Sequence, residues 1–220
     1  MPDTNVRLNR PTLERLLLYY HFIHDHLGSH SGQTVSSARI AELLYMDDAQ
    51  VRKDLAAIGV KGHPHVGFDI NQVLETIRRK LGFNAKTRAV VIGAGRLGGA
   101  VASYDEFVDY GLEIVALFDN NPQKIGLLIG RHVVQPAQQM EAIIQQHEVE
   151  LGIITTPAGA AQGLADRFVR AGVPAIWNFA PVHLVVPPGV MVRHEHLAVG
   201  LAELSYHLNR RKTEQTHLPI

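Results

Sequence analysis

Apolar positions along the first third of the chain recur every three to four residues, the spacing of a helix that buries one face. Leu13, Leu16, Leu17, Tyr20, Ile23 and Leu27 follow Pro11, which the first turn of a helix tolerates, and Gly28 marks the stop. Ser29-His30-Ser31-Gly32 reads as a loop. Val35-Ser36-Ser37 then offers a capping serine to a short helix bearing Ile40, Leu43 and Leu44. A tight connection at Met46-Asp47-Asp48 leads into a helix over about Ala49 to Ala57, capped by Asp47 or Asp48. Val51, Leu55 and Ile58 share one face of it, and Gln50, Arg52 and Lys53 occupy the others. The segment Gly59 to Gly67, rich in Gly, His and Pro, is expected to form a two-stranded wing. A helix from about Asn71 to Leu81, closed by Gly82, completes this part.

From Thr87 the texture changes to short apolar runs alternating with helical stretches. Ala89-Val90-Val91-Ile92 opens into Gly93-Ala94-Gly95-Arg96-Leu97-Gly98 and a helical stretch reaching Tyr110. Further strands are expected at Ile114–Phe118, Leu151–Thr155 and Val173–Trp177, with a helix around Ala160–Ala171. This alternation predicts an α/β, doubly wound parallel sheet. The last piece, His196 to Lys212, carries Leu197, Leu201, Leu204 and Leu208 on one stripe, an amphipathic helix that needs a surface to cover.

Composition removes several classes of chemistry. With no cysteine, disulfides, thiolate-bound zinc and thiol redox sensing are excluded, so any response to redox state has to come through a bound cofactor. No apolar run reaches the roughly 18–20 residues that span a bilayer. Met1-Pro2-Asp3-Thr4-Asn5 is too polar for a signal peptide, and a cytoplasmic location is expected. Net charge is zero, and residues 1–87 hold 11 Lys/Arg against 9 Asp/Glu. Any nucleic-acid binding must therefore rest on a local patch.

The glycine turn carries the most specific chemistry. It follows a strand, opens a helix, and is followed 21 residues past Gly98 by Asp119 at the end of the next strand. Gly93 permits the tight turn, Gly95 lets a pyrophosphate approach the backbone, and Gly98 allows close helix–strand packing. The helix start offers free N–H groups to phosphates. Asp119 can accept hydrogen bonds from the adenosine ribose, whereas a 2′-phosphate would meet its negative charge, and Asn120-Asn121 bring no cation. NAD(H) is expected over NADP(H), with coenzyme A as the rival ligand.

An NAD-dependent oxidoreductase is one reading of such a site, but residues 88–195 are consumed in one nucleotide-binding sheet and leave no substrate domain. Among 13 histidines, His183, His194 and His196 lie near the end of that sheet, where packing roles are commoner than acid–base ones. No catalytic residue and no metal site are expected. The paired short helices before it match a helix-turn-helix, and equally an ordinary interaction domain. In the first case Gln50 pairs with adenine, Arg52 and Lys53 reach guanine or phosphate, and Ser36 and Ser37 contact phosphate.

Val35-Ser36-Ser37, Gln50-Val51-Arg52-Lys53-Asp54-Leu55, Gly93 to Gly98, Phe118-Asp119-Asn120-Asn121-Pro122-Gln123-Lys124-Ile125-Gly126 and Asn178-Phe179-Ala180-Pro181 together resemble the Rex redox-sensing repressors, in order and spacing from about residue 11 to 208. The resemblance implies a homodimer with a winged-helix DNA-binding domain (1–86), a Rossmann domain for NAD(H) (87–195) and a C-terminal helix and tail exchanged between subunits (196–220). It implies binding to a pseudo-palindromic operator with NAD⁺ or no ligand, and release by NADH, controlling genes for NADH reoxidation and fermentation. Tyr104 matches a tyrosine near the nicotinamide and Lys124 a lysine near the adenosine end. The candidate cofactor contacts are thus Gly93, Ala94, Gly95, Arg96, Leu97, Gly98, Tyr104, Asp119, Lys124, Thr156, Pro157, Asn178 and Phe179. Where the family's wing carries an arginine, this chain has His63-Pro64-His65, with Lys61 as the substitute DNA contact. An arginine–aspartate pair of the family is replaced by His21 and His196, and Glu195 is expected to pair with protonated His21.

Overall fold

The computed structural model describes residues 8–28 and 33–216. The loop expected at Ser29–Gly32, the N-terminal Met1–Asn5 and the tail from 217 lie outside the described residues. The chain divides into two compact units: one runs up to Lys86 and takes in Asp109–Gly111, the other holds Thr87–Val108 and the chain from Leu112 on.

In the first unit, α1 (Arg10–Leu27) starts at Asn9, whose side chain accepts from the Thr12 amide, with Pro11 in the first turn. Its buried face is Leu16, Tyr19, Tyr20 and Ile23, while Leu13 stays largely outside. Strand β1 (Thr34–Val35) precedes α2 (Ser37–Leu44), capped by Ser36, and Asp47 caps α3 (Asp48–Ala57) by accepting from the Gln50 amide. Strand β2 (Phe68–Asp69) pairs antiparallel with β1, and α4 (Ile70–Leu81) runs from Asp69 to a left-handed Gly82. The wing therefore differs from expectation. Within residues 59–67 only one bridge forms, His63 with Gly67, and the two-stranded sheet is made instead by β1 and β2. Pro64 has no N–H to offer a ladder, and His65 at φ 61 reverses the chain before a strand can extend.

A buried carboxylate ties this unit together. Asp54, 3% exposed, accepts from Arg15 Nε (2.6 Å) and Nη2 (2.8 Å), the Tyr19 hydroxyl (2.9 Å) and Gln50 Nε2 (2.8 Å). Burial favours its protonated form, but those donors outweigh burial and hold the carboxyl below the usual range.

The second unit is a seven-stranded sheet. Its elements are β3 (Thr87–Ile92), α5 (Arg96–Ala102), a 3-10 helix (Asp105–Tyr110), β4 (Leu112–Asp119), β5 (Leu128–Ile129), β6 (His132–Pro136), α6 (Met140–His147), β7 (Leu151–Ile154), α7 (Ala158–Arg170), β8 (Ala175–Asn178), β9 (Met191–His194) and α8 (Leu197–Thr216). The strand order is β5-β6-β4-β3-β7-β8-β9, parallel except for β5 against β6. The expected α/β doubly wound sheet is present. The helix expected to reach Tyr110 stops at Ala102 and resumes as the 3-10 turn. Chain excursions leave the central β3 to opposite sides, toward β4 and toward β7, opening a crevice at the carboxyl ends of these strands. Along α8, every side chain described is exposed, including Leu201, Leu204 and Leu208. Among the described residues, the part of its apolar stripe at Leu201, Leu204 and Leu208 finds no cover. No described helix is long and apolar enough to cross a membrane.

Candidate functional site

A cavity of about 970 Å³ occupies that crevice, lined by the β3–α5 turn, the end of β4, the loop after β7 and one face of α7. The three glycines each answer to a different constraint. Gly93 takes φ 108, and its amide donates to Phe118 O at 2.8 Å, joining the ends of β3 and β4. At Gly98 an added Cβ would strike the Gly93 carbonyl oxygen and lie 2.5 Å from Thr155 Oγ1, so α5 rests directly on the turn. At Gly95 a Cβ meets no protein atom within 4 Å and would project into the cavity. The space that Gly95 leaves is space for a ligand.

Asp119, 6% exposed, ends β4 beneath the turn. Its Oδ2 accepts from the Ala94 amide and from Lys124 Nζ, both at 2.9 Å, and its Oδ1 from the Asn121 amide at 2.8 Å. Burial works against the charged form, yet Lys124 and the two amides prevail and keep the carboxyl below its ordinary range. The far wall holds Thr156, whose Oγ1 is buried without a partner among the described residues. Nearby, Thr155 Oγ1 donates to the Ile92 and Gly93 carbonyls. A hydroxyl left unsatisfied at the wall of a crevice suits a polar ligand. Arg167, which sequence reasoning missed, also lines the cavity, with its guanidinium bonded to Glu141 and to the Ala137 carbonyl. It lies in the last turn of α7, and nothing in local spacing points to it.

Of the predicted cofactor contacts, Gly93, Gly95, Arg96, Leu97, Asp119, Lys124, Thr156, Pro157 and Phe179 line the cavity. Ala94 and Gly98 lie beneath it as parts of the turn. Asn178 does not face it: fully buried, it accepts from the Ala180 amide, donates to the Ala180 and Val182 carbonyls and meets His194 Nδ1 at 3.1 Å. Its short amide satisfies the chain reversal after β8. Tyr104 is half exposed, its hydroxyl donating to Glu106, and it is not among the cavity's lining residues. Its ring does open an aromatic series, Tyr104–Phe107–Trp177–Phe179, with centroid separations of 4.8, 5.8 and 4.9 Å. Phe179 at the far end is a wall of the cavity.

The histidines near the sheet's end stack on one another. His194 stacks between His183 (4.5 Å) and His196 (6.1 Å), and burial, then those two neighbours, lowers its proton affinity. His21 is engaged by the Tyr110 hydroxyl, and Glu195 accepts from Arg193 Nε and Trp177 Nε1. Each partner of the expected Glu195–His21 pair thus has company within its own unit. Among the described residues no cluster of three or more His, Cys, Asp or Glu could hold a metal.

In the first unit, Ser36 caps α2 and Ser37 is buried behind it. Arg52 is exposed, ion-paired with Asp48 and 3.5 Å from Ser37 Oγ; Lys53 and Lys61 are exposed. Gln50 is the exception, since its amide is spent on Asp54 and is not presented outward. A second concavity, of about 690 Å³, collects Ser36, Ser37, Arg52, Lys61, His63 and His65.

Curated relatives align over nearly the full chain. A protein of Carboxydothermus hydrogenoformans named redox-sensing transcriptional repressor Rex is 40% identical over 93% of this chain and 98% of its own length. This chain belongs to the Rex family. The Rex of Streptomyces coelicolor is 39% identical over 97% of this chain and 83% of its own. Among solved structures, that of RSP with β-NAD⁺ and operator DNA superposes with a TM-score of 0.87 at 31% identity, covering 96% of each chain. RSP with β-NADH superposes at 0.83, also at 31% identity, covering 95% of this chain and 98% of that one. Two family models match as well: "Putative DNA-binding protein N-terminus" over residues 8–56 and "CoA binding domain" over residues 84–182. The relatives named here are regulators by name, not enzymes.

Proposed function

We propose that the chain is a redox-sensing repressor that binds operator DNA with NAD⁺ or no ligand and is released by NADH, so that genes for NADH reoxidation and fermentation are expressed when the cytoplasm is reduced. The observation that carries this reading is the cavity over Gly95 with Asp119 at its floor, in a chain whose other unit carries a helix-turn-helix; the RSP complexes support both ligands. The cofactor contacts are Gly93, Gly95, Arg96, Leu97, Asp119, Lys124, Thr156, Pro157 and Phe179, with Ala94 and Gly98 shaping the turn. Ser36, Ser37, Arg52, Lys53 and Lys61 meet DNA. Residues 1–86, 87–195 and 196–220 serve as reader, sensor and dimerisation helix, and the uncovered stripe of α8 is the surface a second copy would bury. Tyr104 acts at one remove, through the aromatic series that ends at Phe179.

The cavity offers little to catalysis. Its ionisable residues are Arg96, Asp119, Lys124 and Arg167, and Asp119 and Arg167 are already committed to ion pairs. With Asp119, Lys124 and Arg167 engaged in ion pairs, no turnover is expected.

A duplex bound at controlled NADH to NAD⁺ ratios and fixed salt tests the proposal. Moving a two-state dimer from mostly bound to mostly released needs about 10⁴-fold differential affinity, shared between two NADH molecules. Release by NADH at concentrations where NAD⁺ leaves the complex intact is the expected result; indifference to NADH rejects the reading.

The family-model match to coenzyme A-binding domains favours one second reading. Here Asp119 argues for the unphosphorylated ribose, because a ribose phosphate would sit against a buried carboxylate whose partner cation it already holds. NADPH and coenzyme A are therefore expected to bind at least about tenfold more weakly than NADH. Asp119→Asn frees Lys124 and should narrow the gap for both, as read by competition titration.

A further inference from the structure

The wing turn of the first unit carries two imidazoles that make no hydrogen bond among the described residues. His63 N donates to Gly67 O at 2.8 Å, and the His63 carbonyl accepts from the Val66 and Gly67 amides at 3.1 and 3.0 Å, closing a tight turn around Pro64 and His65. His65 sits at φ 61, a left-handed conformation that glycine or asparagine adopts more readily. Both histidines are exposed, and neither ring is in a hydrogen bond among the described residues. A strained, exposed residue whose side chain supports nothing internal points to a role outside the fold.

The surroundings indicate the partner. Both histidines line the concavity shared with Arg52 from α3 and Lys61 from the loop leading to the turn, while the start of α2 contributes only the neutral Ser36 and Ser37. No carboxylate is among its lining residues; Asp48, the ion-pair partner of Arg52, is the acidic group beside it. Protonating both imidazoles doubles the cationic side chains facing this space. An extended polyanion such as a DNA backbone would favour that state, since each neutralised phosphate releases counterions.

We propose that His63 and His65 are DNA contacts that take up protons on binding, making the affinity of this protein for duplex DNA fall as pH rises through the imidazole range. The inference rests on the repressor reading for its partner and adds a proton to it. The sign follows from linkage: phosphate raises the proton affinity of a neighbouring imidazole in the complex. The added affinity is then fully present below the pKa of the free protein and lost as pH rises through the pKa of the complex.

The test uses the full-length protein and a mixed-sequence duplex of about three helical turns, because a phosphate contact needs no particular sequence. Wild type is expected to lose at least about tenfold in affinity between about pH 6 and pH 8. Its log–log salt slope should also be steeper at the lower pH by about one to two. The double variant His63→Gln, His65→Asn keeps the turn, since asparagine accepts positive φ, and should flatten both dependences while leaving NADH binding unchanged. If it melts early, His63→Gln and His65→Asn singly should each remove part of the slope. A flat wild-type profile overturns the proposal, and so does a double variant that keeps the wild-type slope, which would then belong to His21, His24, His26 or another histidine. Absence of duplex binding at both pH values overturns the repressor reading along with it.

Discussion

Valine in place of Gly98 is expected to weaken NADH binding by at least about a hundredfold, close to 3 kcal/mol, while duplex binding without dinucleotide survives. The first added carbon alone would overlap the Gly93 carbonyl and crowd Thr155 Oγ1 at 2.5 Å. Neither can step aside. The carbonyl belongs to the turn, and the threonine hydroxyl is held by the Ile92 and Gly93 carbonyls at 3.1 and 2.9 Å. The start of α5 must then lift off β3, carrying its free amides away from where a pyrophosphate would lie. A fluorescence titration with NADH reads the loss, and a wild-type affinity would place the dinucleotide elsewhere.

Asp54→Ala should destabilise the first unit by about 3–5 kcal/mol, because it leaves the Arg15 guanidinium facing an empty space and strips the Tyr19 hydroxyl of its acceptor. Denaturant unfolding of the full chain, followed by signals from both units, should show the first unit's transition displaced and that of the sheet unit unmoved. The same carboxylate sets an acid limit. Its folded pKa is lowered, so its contribution is complete above the unfolded value of about 3.9 and drains away as pH falls through the folded one. A wild-type first unit no more acid-sensitive than the alanine variant would show that the network contributes little.

These two sites differ in how readable they were. The glycine turn is a local device: strand, loop, helix start and acid follow one another, so spacing alone indicates Gly93, Gly95, Gly98 and Asp119. Helix ends were legible for the same reason, since Ser36 and Asp47 bond to amides three residues away. The Asp54 network joins residues up to 39 positions apart, and no periodicity reports that Gln50 turns inward to it. Strands β5, β6 and β9 escaped notice because they lie toward the sheet's edges, where residues such as His132, Gln135, Arg193 and His194 interrupt the apolar runs. The break at Ser103–Tyr104 was hidden because the residues either side remain helix-like in composition. The inward turn of the Asn178 amide was not legible either, since a motif shows that an amide is present, not which way it faces.

The aromatic series has a spectroscopic consequence. The chain has a single tryptophan, Trp177, and its ring centre lies 4.9 Å from that of Phe179 in the cavity wall. Reduced nicotinamide absorbs light in the band where indole emits, and the oxidised ring does not. A bound cofactor would therefore dim this one emitter according to its own oxidation state, giving the protein a built-in optical gauge that needs no label.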